Sequence, residues 1–278
     1  MNPKWSSRFE LKPGRWVFVP TPEANALGKQ IKKRLEAAWT PPSYYFHLRR
    51  GGHVAALKSH MDHSSFLHVD IQDFFGNINR TRVTRCLKAI VGYKLARDWA
   101  TASTVAHPAI NIRTIVPYGF VQSQIIAALC LSDSALGICL DKIGRIDAVA
   151  VSVYVDDIIV STSDPQLSIA LFDLLKVAAS RARFGLTEQA PSSQITAFNI
   201  ELSRNLLLIE SDRLQKFSAA LASATSDAQR KGILSYVASV NAGQSAPSNH
   251  SLNRTHCGVP LFGLQKPSPN ASPPQWAG

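Results

Sequence analysis

The amino-acid sequence predicts an α+β protein in which short strands, some of them paired in hairpins, pack against helices. Hydrophobic residues make up 45% of the 278 positions, so the chain can bury a sizeable core and is not wholly disordered. Short β-rich runs lie close together in two places, whereas other segments place apolar residues at helical spacing. The length fits one large domain or two small ones.

The first predicted helix begins at Thr21, because a hydroxyl N-cap precedes a proline at the first helical position. It ends near Trp39, before a Thr-Pro-Pro sequence that cannot continue a helix. Residues 44–48 are mostly aromatic and are predicted to form a strand that leads into a basic glycine turn over residues 49–52. A short apolar strand over residues 66–69 follows and ends at an acid.

Helical spacing resumes after Asn79. Residues 122–143 are apolar on most faces, which predicts one long buried helix. The β-rich runs 148–154 and 158–161 flank two adjacent acids, so they predict a hairpin with the acids at its turn. Residues 165–184 again have the periodicity of a helix.

The C-terminal part begins with a second predicted hairpin, formed by residues 195–202 and 206–209. A further helix is expected after the Ser211-Asp212 cap. The last 36 residues, from Gly243, hold 6 of the 16 prolines. This composition predicts an extended or poorly ordered tail that lies on the body.

Positive charge is concentrated at the N-terminal end. The chain has 30 lysines and arginines against 19 acidic residues, and residues 1–60 hold 11 of these cations with only 3 acids. This distribution favours a polyanionic partner, because cations that neutralise phosphates release counterions; a merely soluble basic surface is the alternative. No run of about 18 apolar residues and no apolar signal region occur, so we expect a cytoplasmic protein with no membrane partner.

Cysteine and histidine give no indication of a zinc site. In an unsecreted chain of this length, cysteines without paired spacing are expected to be reduced thiols; they are Cys86, Cys130, Cys139 and Cys257. His60, His63 and His68 lie within nine residues. Because no matching ligand cluster is near them, we expect these histidines at the surface or facing nucleic acid.

Asp156 and Asp157 stand between the two strands of the first predicted hairpin. Like charges about 4 Å apart repel by about 4 kcal/mol at an effective dielectric constant of 20, so such a turn needs cations or solvent beside it. Asp70 closes the strand 66–69 in the same way. If the strands pair, the three carboxylates converge on one sheet edge as a hard-oxygen site suited to Mg²⁺; a solvated acidic turn is the alternative.

Three segments resemble the A, B and C motifs of reverse transcriptases, in the family's order and at plausible separations. They are FLHVDIQDFFGNI at 66–78, PYGFVQSQIIAAL at 117–129 and VYVDDIIVS at 153–161. The resemblance covers roughly residues 45–210. It is to the bacterial group that includes retron, group II intron and defence-associated enzymes. The lack of protease, RNase H or integrase segments and the short fingers favour the defence-associated type.

The resemblance implies a right-hand polymerase palm, an antiparallel sheet backed by helices, with reduced fingers and a small helical thumb. The implied divisions are a basic N-terminal segment with reduced fingers (1–65), the palm with motifs A, B, C and a motif D-like region (66–193), a primer-grip hairpin with the thumb (194–242), and the proline-rich tail (243–278).

The resemblance also implies the site residues. Asp70, Asp156 and Asp157 are the expected catalytic residues and, with the carbonyl of Ile71, the expected ligands of two Mg²⁺ ions, for which Mn²⁺ can substitute. The expected dNTP contacts are Arg49, Arg50, Lys58, Gln72, Asp73, Phe74, Phe75, Tyr118, Gly119 and Ser123. The expected primer or template contacts are Tyr154, Val155, Phe198, Asn199 and Arg204.

The expected choice of deoxynucleotides depends on two positions. In the family, the aromatic residue at the position of Phe75 blocks a ribose 2′-hydroxyl. Because neighbours on a strand face opposite sides, one of Phe74 and Phe75 is expected in the core. Viral RNA-dependent RNA polymerases also use paired aspartates, but their 2′-hydroxyl-sensing asparagine is replaced here by Ala127, which favours reverse transcriptases.

The sequence departs from the family pattern in two places. Motif B contains Tyr118 and Gln124 where the family usually has other residues, which alters how the nascent base pair is checked. The lysine expected after the motif D-like region is absent from residues 190–192. Water or another side chain must then protonate the leaving pyrophosphate.

The function implied by the resemblance is RNA-directed DNA synthesis by two-metal phosphoryl transfer, on a dedicated non-coding RNA in anti-phage defence. Two alternatives stay open: template-independent or protein-primed synthesis on the same fold, and a catalytically idle RNA-binding subunit. The expected partners are a structured non-coding RNA, the DNA product and dNTPs. A chain this small also suggests a partner protein or self-association.

Overall fold

The computed structural model describes residues 3–110, 112–187 and 189–244. Its strands are β1 (Trp5–Lys12), β2 (Arg15–Pro20), β3 (Ser65–Gln72), β4 (Val105–Ala106), β5 (Thr114–Ile115), β6 (Val149–Tyr154), β7 (Asp157–Thr162), β8 (Gly185–Leu186), β9 (Gln194–Ala197), β10 (Ile200–Ser203) and β11 (Leu206–Ile209). Its helices are α1 (Pro22–Ala38), α2 (Gly52–Lys58), α3 (Arg80–Val91), α4 (Tyr93–Ala102), α5 (Ser123–Ser132), α6 (Ala135–Ile143), α7 (Pro165–Ala182), α8 (Ser211–Ala222) and α9 (Asp227–Val240).

A four-stranded antiparallel sheet in the order β6-β7-β3-β8 forms the centre of the molecule. The predicted hairpin of β6 and β7 is confirmed. Strand β3 pairs with β7 in a register that places Asp70 directly opposite Asp157. The first acid and the acidic couplet therefore share one end of the sheet.

The central sheet is covered on both faces. Leu67 and Val69 of β3 pack in the larger core with α5, α6 and α7, whereas their neighbour Phe66 packs in a second core with Ile159 of β7. The second core also contains residues of α2, α9 and the sheet β9-β10-β11. This alternation follows from the period of two along a strand, and it buries β3 and β7 almost completely.

An N-terminal hairpin, which the sequence analysis did not predict, joins β1 to β2. Phe18 is buried with Val105, Ile115 and Phe120, and its backbone N–H donates to the carbonyl oxygen of Tyr118 at 2.9 Å. Most of β1 is exposed on both faces. Its apolar Trp5, Phe9 and Leu11 nevertheless alternate with polar residues, a period-two signal that the prediction missed.

Capping chemistry fixes the helices that the sequence predicted correctly. Thr21, Asn79 and Asp164 accept backbone hydrogen bonds at the N-termini of α1, α3 and α7. Each is a residue type that satisfies the orphan N–H groups of a first helical turn. The helices predicted from residue 22, after residue 79 and from residue 165 are therefore confirmed, within one or two residues at their ends.

Residues 44–48 do not form the predicted strand. Phe46–Leu48 is a 3₁₀ turn, and a single isolated bridge joins Tyr45 to Val153 of β6. Tyr45 is almost fully buried, so these aromatic residues serve core packing rather than strand pairing. The basic glycine turn that follows has Gly51 at φ 97° as the N-cap of α2, a helix that the sequence analysis missed.

Residues 122–143 form two helices, α5 and α6, rather than the single helix predicted. The Ser134 hydroxyl accepts the N–H of Gly137 at 3.2 Å and so begins a new helix. Gly137 lies so close to the preceding turn that a Cβ would be 2.1 Å from the carbonyl oxygen of Leu131. No single described helix is long and apolar enough to cross a membrane; α5 and α6 meet that test only as a pair bent by 74°.

The predicted second hairpin is a three-stranded sheet, β11-β10-β9. An additional turn at Phe198 and Asn199, with φ values of 57° and 60°, separates β9 from β10. Neither residue is glycine, so the sequence did not indicate a left-handed turn there. The predicted tail lies outside the described residues from residue 245 onward, and so does Cys257.

The histidine prediction was wrong for His60, which is fully buried. Its two ring nitrogens lie 2.7 Å from Ser161 Oγ and 2.8 Å from Ser152 Oγ. His63 is partly buried and contacts the same Ser161 hydroxyl at 2.7 Å. The serines of two adjacent strands satisfy this imidazole inside the core, which the spacing of the histidines could not indicate.

Candidate active site

Three aspartates from the end of the central sheet form a compact cluster. One carboxylate oxygen from each of Asp70, Asp156 and Asp157 lies within 4.8 Å of the other two. Asp70 and Asp157 are opposite each other in the β3-β7 pair, where Cβ atoms are about 5 Å apart. Asp156 occupies the turn between β6 and β7. Strand register therefore produces the convergence that the sequence analysis expected.

The turn that carries Asp156 is held in a strained conformation. Val155 has φ 61°, a left-handed conformation that costs a β-branched residue about 1–3 kcal/mol. Two hydrogen bonds hold the turn. The Val155 N–H donates to His47 Nδ1 at 3.0 Å, and the Ile71 N–H donates to the Asp156 carbonyl oxygen at 3.0 Å.

His47 is a positioning residue that the sequence analysis missed. Burial lowers the pKa of His47 to about 4, so its ring is neutral near pH 7 and Nδ1 is free to accept the Val155 N–H. The sequence carries no signal for this contact, because it joins residues 108 positions apart. His47 lies in the segment that was predicted as a strand.

Thr187 holds the backbone of Asp70 from the other side. The Asp70 N–H donates to Thr187 Oγ1 at 2.8 Å, and the Thr187 N–H donates to the Asp70 carbonyl oxygen at 2.9 Å. Thr187 follows β8, in the motif D-like region. The motif D-like region therefore holds the backbone of Asp70 through the backbone N–H and the hydroxyl of Thr187.

Burial and charge repulsion raise the pKa values of Asp70 and Asp156. Burial, together with the charges of Asp156 and Asp157, raises the pKa of Asp70 to about 6. Burial also raises the pKa of Asp156, and the charge of Asp157 adds to this effect. His68 Nε2 lies 2.8 Å from Asp157 Oδ1, so His68 contacts one acid of the cluster.

Arg15 is the second residue of the site that the sequence analysis missed. Its guanidinium lies 3.9 Å from Asp156 Oδ2 and 5.0 Å from the ring centroid of Tyr118. Burial raises the pKa of Tyr118 to about 12, so its hydroxyl is neutral. The N-terminal hairpin brings Arg15 to acids more than 100 residues away, for which no local pattern exists.

The similarity of the chain to known proteins agrees with this geometry. A family model described as reverse transcriptase (RNA-dependent DNA polymerase) matches residues 10–189, which is more than half of the chain. This chain belongs to the reverse transcriptase family. No curated protein sequence matches it.

Solved structures resemble this reverse transcriptase in fold. Telomerase from Candida albicans, in complex with a TWJ fragment of telomeric RNA, superposes with a TM-score of 0.50 at 11% identity, over 81% of this chain and 50% of that chain. A foamy viral protease-reverse transcriptase in complex with double-stranded DNA gives 0.43 at 12% identity, over 82% and 35%. The chain thus spans about a third of the length of the foamy viral protein and half of the length of the telomerase. The telomerase likeness shows the fold alone.

The expectation that Phe74 and Phe75 are neighbours on a strand and face opposite sides was wrong. Strand β3 ends at Gln72, so Phe74 and Phe75 lie in the turn after it, and both are buried, at 1% and 4% exposure. The ring of Phe75 lies 4.6 Å from that of Tyr118. Tyr118 and Phe75 therefore pack against each other.

The motif B residues contact the N-terminal hairpin and begin α5. Gly119 has φ 98°, and a Cβ there would be 2.3 Å from the carbonyl oxygen of Phe18. Because Gly119 has no side chain, the backbone of the hairpin can lie close to it at Phe18. Ser123 is buried at the start of α5, where its hydroxyl donates to the Pro117 carbonyl oxygen at 2.6 Å.

The basic residues expected to bind dNTP do not contact the acids in the described structure. Arg49 stacks on the ring of Phe46 at 4.8 Å, and with Arg50 it lines a cleft of about 490 Å³ beside α1 and α5. Lys58 is exposed at the end of α2. Arg49 also donates to the carbonyl oxygen of Ser43.

Gln72 and Asp73 lie at the exposed edge of the site. The Gln72 side-chain amide donates to the carbonyl oxygen of Leu186 at 3.3 Å. Asp73 has φ 44° and its Oδ2 lies 3.4 Å from Arg113. These contacts shape the turn that leads out of β3.

Two of the residues expected to contact primer or template, Tyr154 and Phe198, belong to an aromatic cluster. The rings of Tyr154 and Phe198 are 5.2 Å apart, and His53 packs against both at 5.9 and 5.3 Å. The Asn199 carbonyl oxygen accepts the N–H of Glu210 at 3.0 Å. Arg204 is exposed in the turn between β10 and β11.

Proposed function

We propose that this reverse transcriptase adds deoxynucleotides to a DNA 3′-hydroxyl on an RNA template. The observation that carries the proposal is the convergence of Asp70, Asp156 and Asp157 within 4.8 Å at the end of the central sheet. Membership in the family supports the reaction class. Phosphoryl transfer of this kind is catalysed mainly by positioning and by electrostatic stabilisation, which a rigid carboxylate cluster can provide.

The donor set fits divalent metal ions. Three carboxylates, two of them with raised pKa values, form a hard-oxygen site whose repulsion a cation relieves. Asp70, Asp156 and Asp157 would hold two Mg²⁺ ions, or Mn²⁺ in their place, with the carbonyl oxygen of Ile71 as a further ligand. Such ions neutralise the charge that develops on the attacking and leaving oxygens.

Residues of the chain itself bind and orient the nucleotide in this proposal. Arg15 is 44% exposed beside Asp156, so its guanidinium is placed to bind the triphosphate. Phe75, with Tyr118 over it, forms the wall that excludes a ribose 2′-hydroxyl. The proposed fingers comprise β1, β2 and α1, which lie within the division 1–65 expected from the sequence.

The proposed biological setting depends on the motifs and the charge. Motifs A to C resemble those of the bacterial group that includes retron, group II intron and defence-associated enzymes, and the short fingers favour the defence-associated type. On that ground we propose a structured non-coding RNA as template and a role in anti-phage defence. The positive charge of residues 1–60 supports a polyanionic partner. We also propose that α8 and α9 form the thumb against the product duplex.

The proposal is tested by Asp157→Asn in a dNTP incorporation assay with Mg²⁺ and a primed RNA template. Weakened metal binding removes several kcal/mol of transition-state stabilisation, so incorporation is expected to fall at least about a thousandfold. Asp173→Asn is the matched control, because Asp173 is an exposed aspartate of α7 outside the cluster.

Incorporation by Asp157→Asn at the control rate would defeat the assignment of the cluster. If the wild-type chain also fails to incorporate dNTPs while it binds RNA, the idle-subunit alternative is correct. Thermal melts of both variants show whether they are folded.

A further inference from the structure

A second cleft, of about 600 Å³, lies between the start of α3, the end of α7 and the break between α5 and α6. Five of its lining residues are arginines, and we name it the arginine cleft; they are Arg82, Arg85, Arg113, Arg181 and Arg183. Asp133 is the single acid among its lining residues. None of the three aspartates of the candidate active site lines it.

Tertiary packing brings these arginines together from separate elements. Arg82 and Arg85 are three residues apart on α3, so their side chains lie on one face of the helix. The Arg82 guanidinium lies 4.5 Å from the ring centroid of Phe184 and donates to the carbonyl oxygen of Ala182. This contact joins α3 to the end of α7, where Arg181 and Arg183 extend to the cleft.

The arginine cleft carries more positive charge than its own acids neutralise. Arg82 Nη1 is buried and has no hydrogen-bond partner among the described residues. Burial, with the positive charges of Arg85 and Arg183, lowers the pKa of Arg82. No ion pair within the described part of the chain involves Arg85, Arg181 or Arg183. An anion bound in the cleft would relieve this repulsion.

The chemistry of the lining indicates which anion the cleft suits. Guanidinium groups bind phosphate through two parallel hydrogen bonds, which makes arginine the preferred residue for phosphate recognition. The lining contains no aromatic ring on which a base could stack, whereas pockets for small ligands such as free nucleotides are mostly apolar and aromatic. The lining therefore favours phosphates of a polynucleotide backbone over a free nucleotide.

We propose that the arginine cleft binds backbone phosphates of the RNA partner, outside the catalytic cluster. This inference rests on the proposed function only in taking RNA as the partner. Binding there would anchor a structured RNA to the palm while another part of it serves as template.

The test uses the full chain and the double variant Arg85→Ala/Arg181→Ala. Both side chains are exposed, so their removal leaves the core intact. Arg82 is kept because it packs on Phe184, and Arg183 is kept because it caps α7 at φ 57°. The control is Arg97→Ala/Arg145→Ala, which removes the same charge from exposed positions outside the cleft.

Affinity for a labelled RNA hairpin is measured as a function of salt concentration. Each phosphate contact contributes about 0.9 to the slope of log K against log salt for duplex DNA, a value we take as a guide for the hairpin stem. The double variant is therefore expected to bind more weakly, with a slope smaller by about 1.8 than that of the control variant. Each single variant should show about half of this change. Equal slopes and affinities for the two double variants would overturn the inference.

Two further measurements separate other outcomes. Titration with inorganic pyrophosphate tests a free phosphate ligand: loss of pyrophosphate binding in the double variant, with hairpin binding unchanged, would also overturn the inference. Extension of a short primer on a short template should be the same in the double variant and in wild type. Failure of wild type in that assay would refute the proposed function but leave the hairpin measurement valid.

Discussion

At the scale of single residues, the candidate site is dominated by carboxylates whose charges the fold does not neutralise. Asp70 has a pKa of about 6 because it is partly buried and lies beside Asp156 and Asp157. The Arg15 guanidinium is 3.9 Å from Asp156 and its side chain is 44% exposed, where an ion pair contributes little. Of the three aspartates, His68 contacts only Asp157, at 2.8 Å. The metal-free protein therefore tolerates unfavourable charge at the position where a metal ion would stabilise it.

We predict that Asp70→Asn stabilises the metal-free protein above about pH 6. The pKa of Asp70 rises from 3.8 to about 6 on folding, so the folded state holds the proton more tightly than the unfolded state. The stability that protonation provides is present below about pH 4 and is lost as the pH rises through about 6. Asparagine resembles the protonated, uncharged form of Asp70, so the variant keeps this stability as the pH rises.

This prediction is checked by thermal melts in chelator across that pH range. The melting temperature of Asp70→Asn should exceed that of wild type above about pH 6, and the difference should shrink steadily toward pH 4. A difference that does not change with pH, or a variant that is less stable at every pH, would contradict it. Added Mg²⁺ should stabilise wild type more than the variant.

At the scale of elements, the turn between β6 and β7 and the hairpin β1-β2 come together beside the three aspartates. The strained turn between β6 and β7 presents Asp156, and the hairpin β1-β2 presents Arg15 against it. The hairpin is fixed to motif B by the bond from Phe18 N–H to Tyr118 and by the contact between Phe18 and Gly119. Docking of the hairpin thus decides where Arg15 and Tyr118 lie.

Gly119→Ala is expected to destabilise the protein and to reduce dNTP incorporation. Gly119 has φ 98°, and a Cβ would lie 2.3 Å from a backbone oxygen that cannot move away alone. The strain costs about 1–3 kcal/mol, and its relief requires the hairpin to shift with Arg15. Urea unfolding and the incorporation assay measure the two effects.

The matched control is Gly232→Ala in α9, where a Cβ would contact nothing within 4 Å. Alanine at an unstrained helical position stabilises by about 0.4–1 kcal/mol, so this variant should be slightly more stable and as active as wild type. Equal stability of the two glycine variants would show that the hairpin does not dock at Gly119.

At the scale of the whole molecule, the central sheet joins two cores into one body. Phe66 of β3 and Ile159 of β7 pack toward α2, α9 and the sheet β9-β10-β11, while Leu67 and Val160 pack toward the larger core. Strands β3 and β7 therefore belong to both cores. Such sharing favours unfolding of both cores in one cooperative transition.

Phe66→Ala is expected to destabilise the protein by about 3–5 kcal/mol, as other large-to-small core substitutions of phenylalanine do. Phe66 has no exposed surface, so the cavity cannot be filled by solvent at low cost. Urea unfolding should remain a single transition, with tryptophan fluorescence and far-ultraviolet circular dichroism coincident. Phe9→Ala, at a side chain 50% exposed on β1, should change stability by less than about 0.5 kcal/mol.

The prediction from sequence failed for residues 44–48 and for His60 because a long-range contact overrode a local preference. It failed for residues 122–143 because a local cap was missed. Residues 44–48 have β-forming side chains, but burial of Tyr45 in the core outweighed strand pairing. The apolar run 122–143 has the composition of one helix, but the cap formed by Ser134 and the tight packing of Gly137 divide it. His60 has a polar side chain, but two serines from neighbouring strands satisfy it inside the core.

The sequence by itself determined the acidic hairpin, the strand that carries Asp70, and the helices that begin at capped positions, because turns, caps and short strands depend on residues close together in the chain. Only the tertiary structure decided that His47 supports Val155, that Arg15 reaches Asp156, and that five arginines share one cleft. These contacts join residues from separate elements, and the packing of those elements sets which side chains meet. A local sequence pattern does not determine that packing.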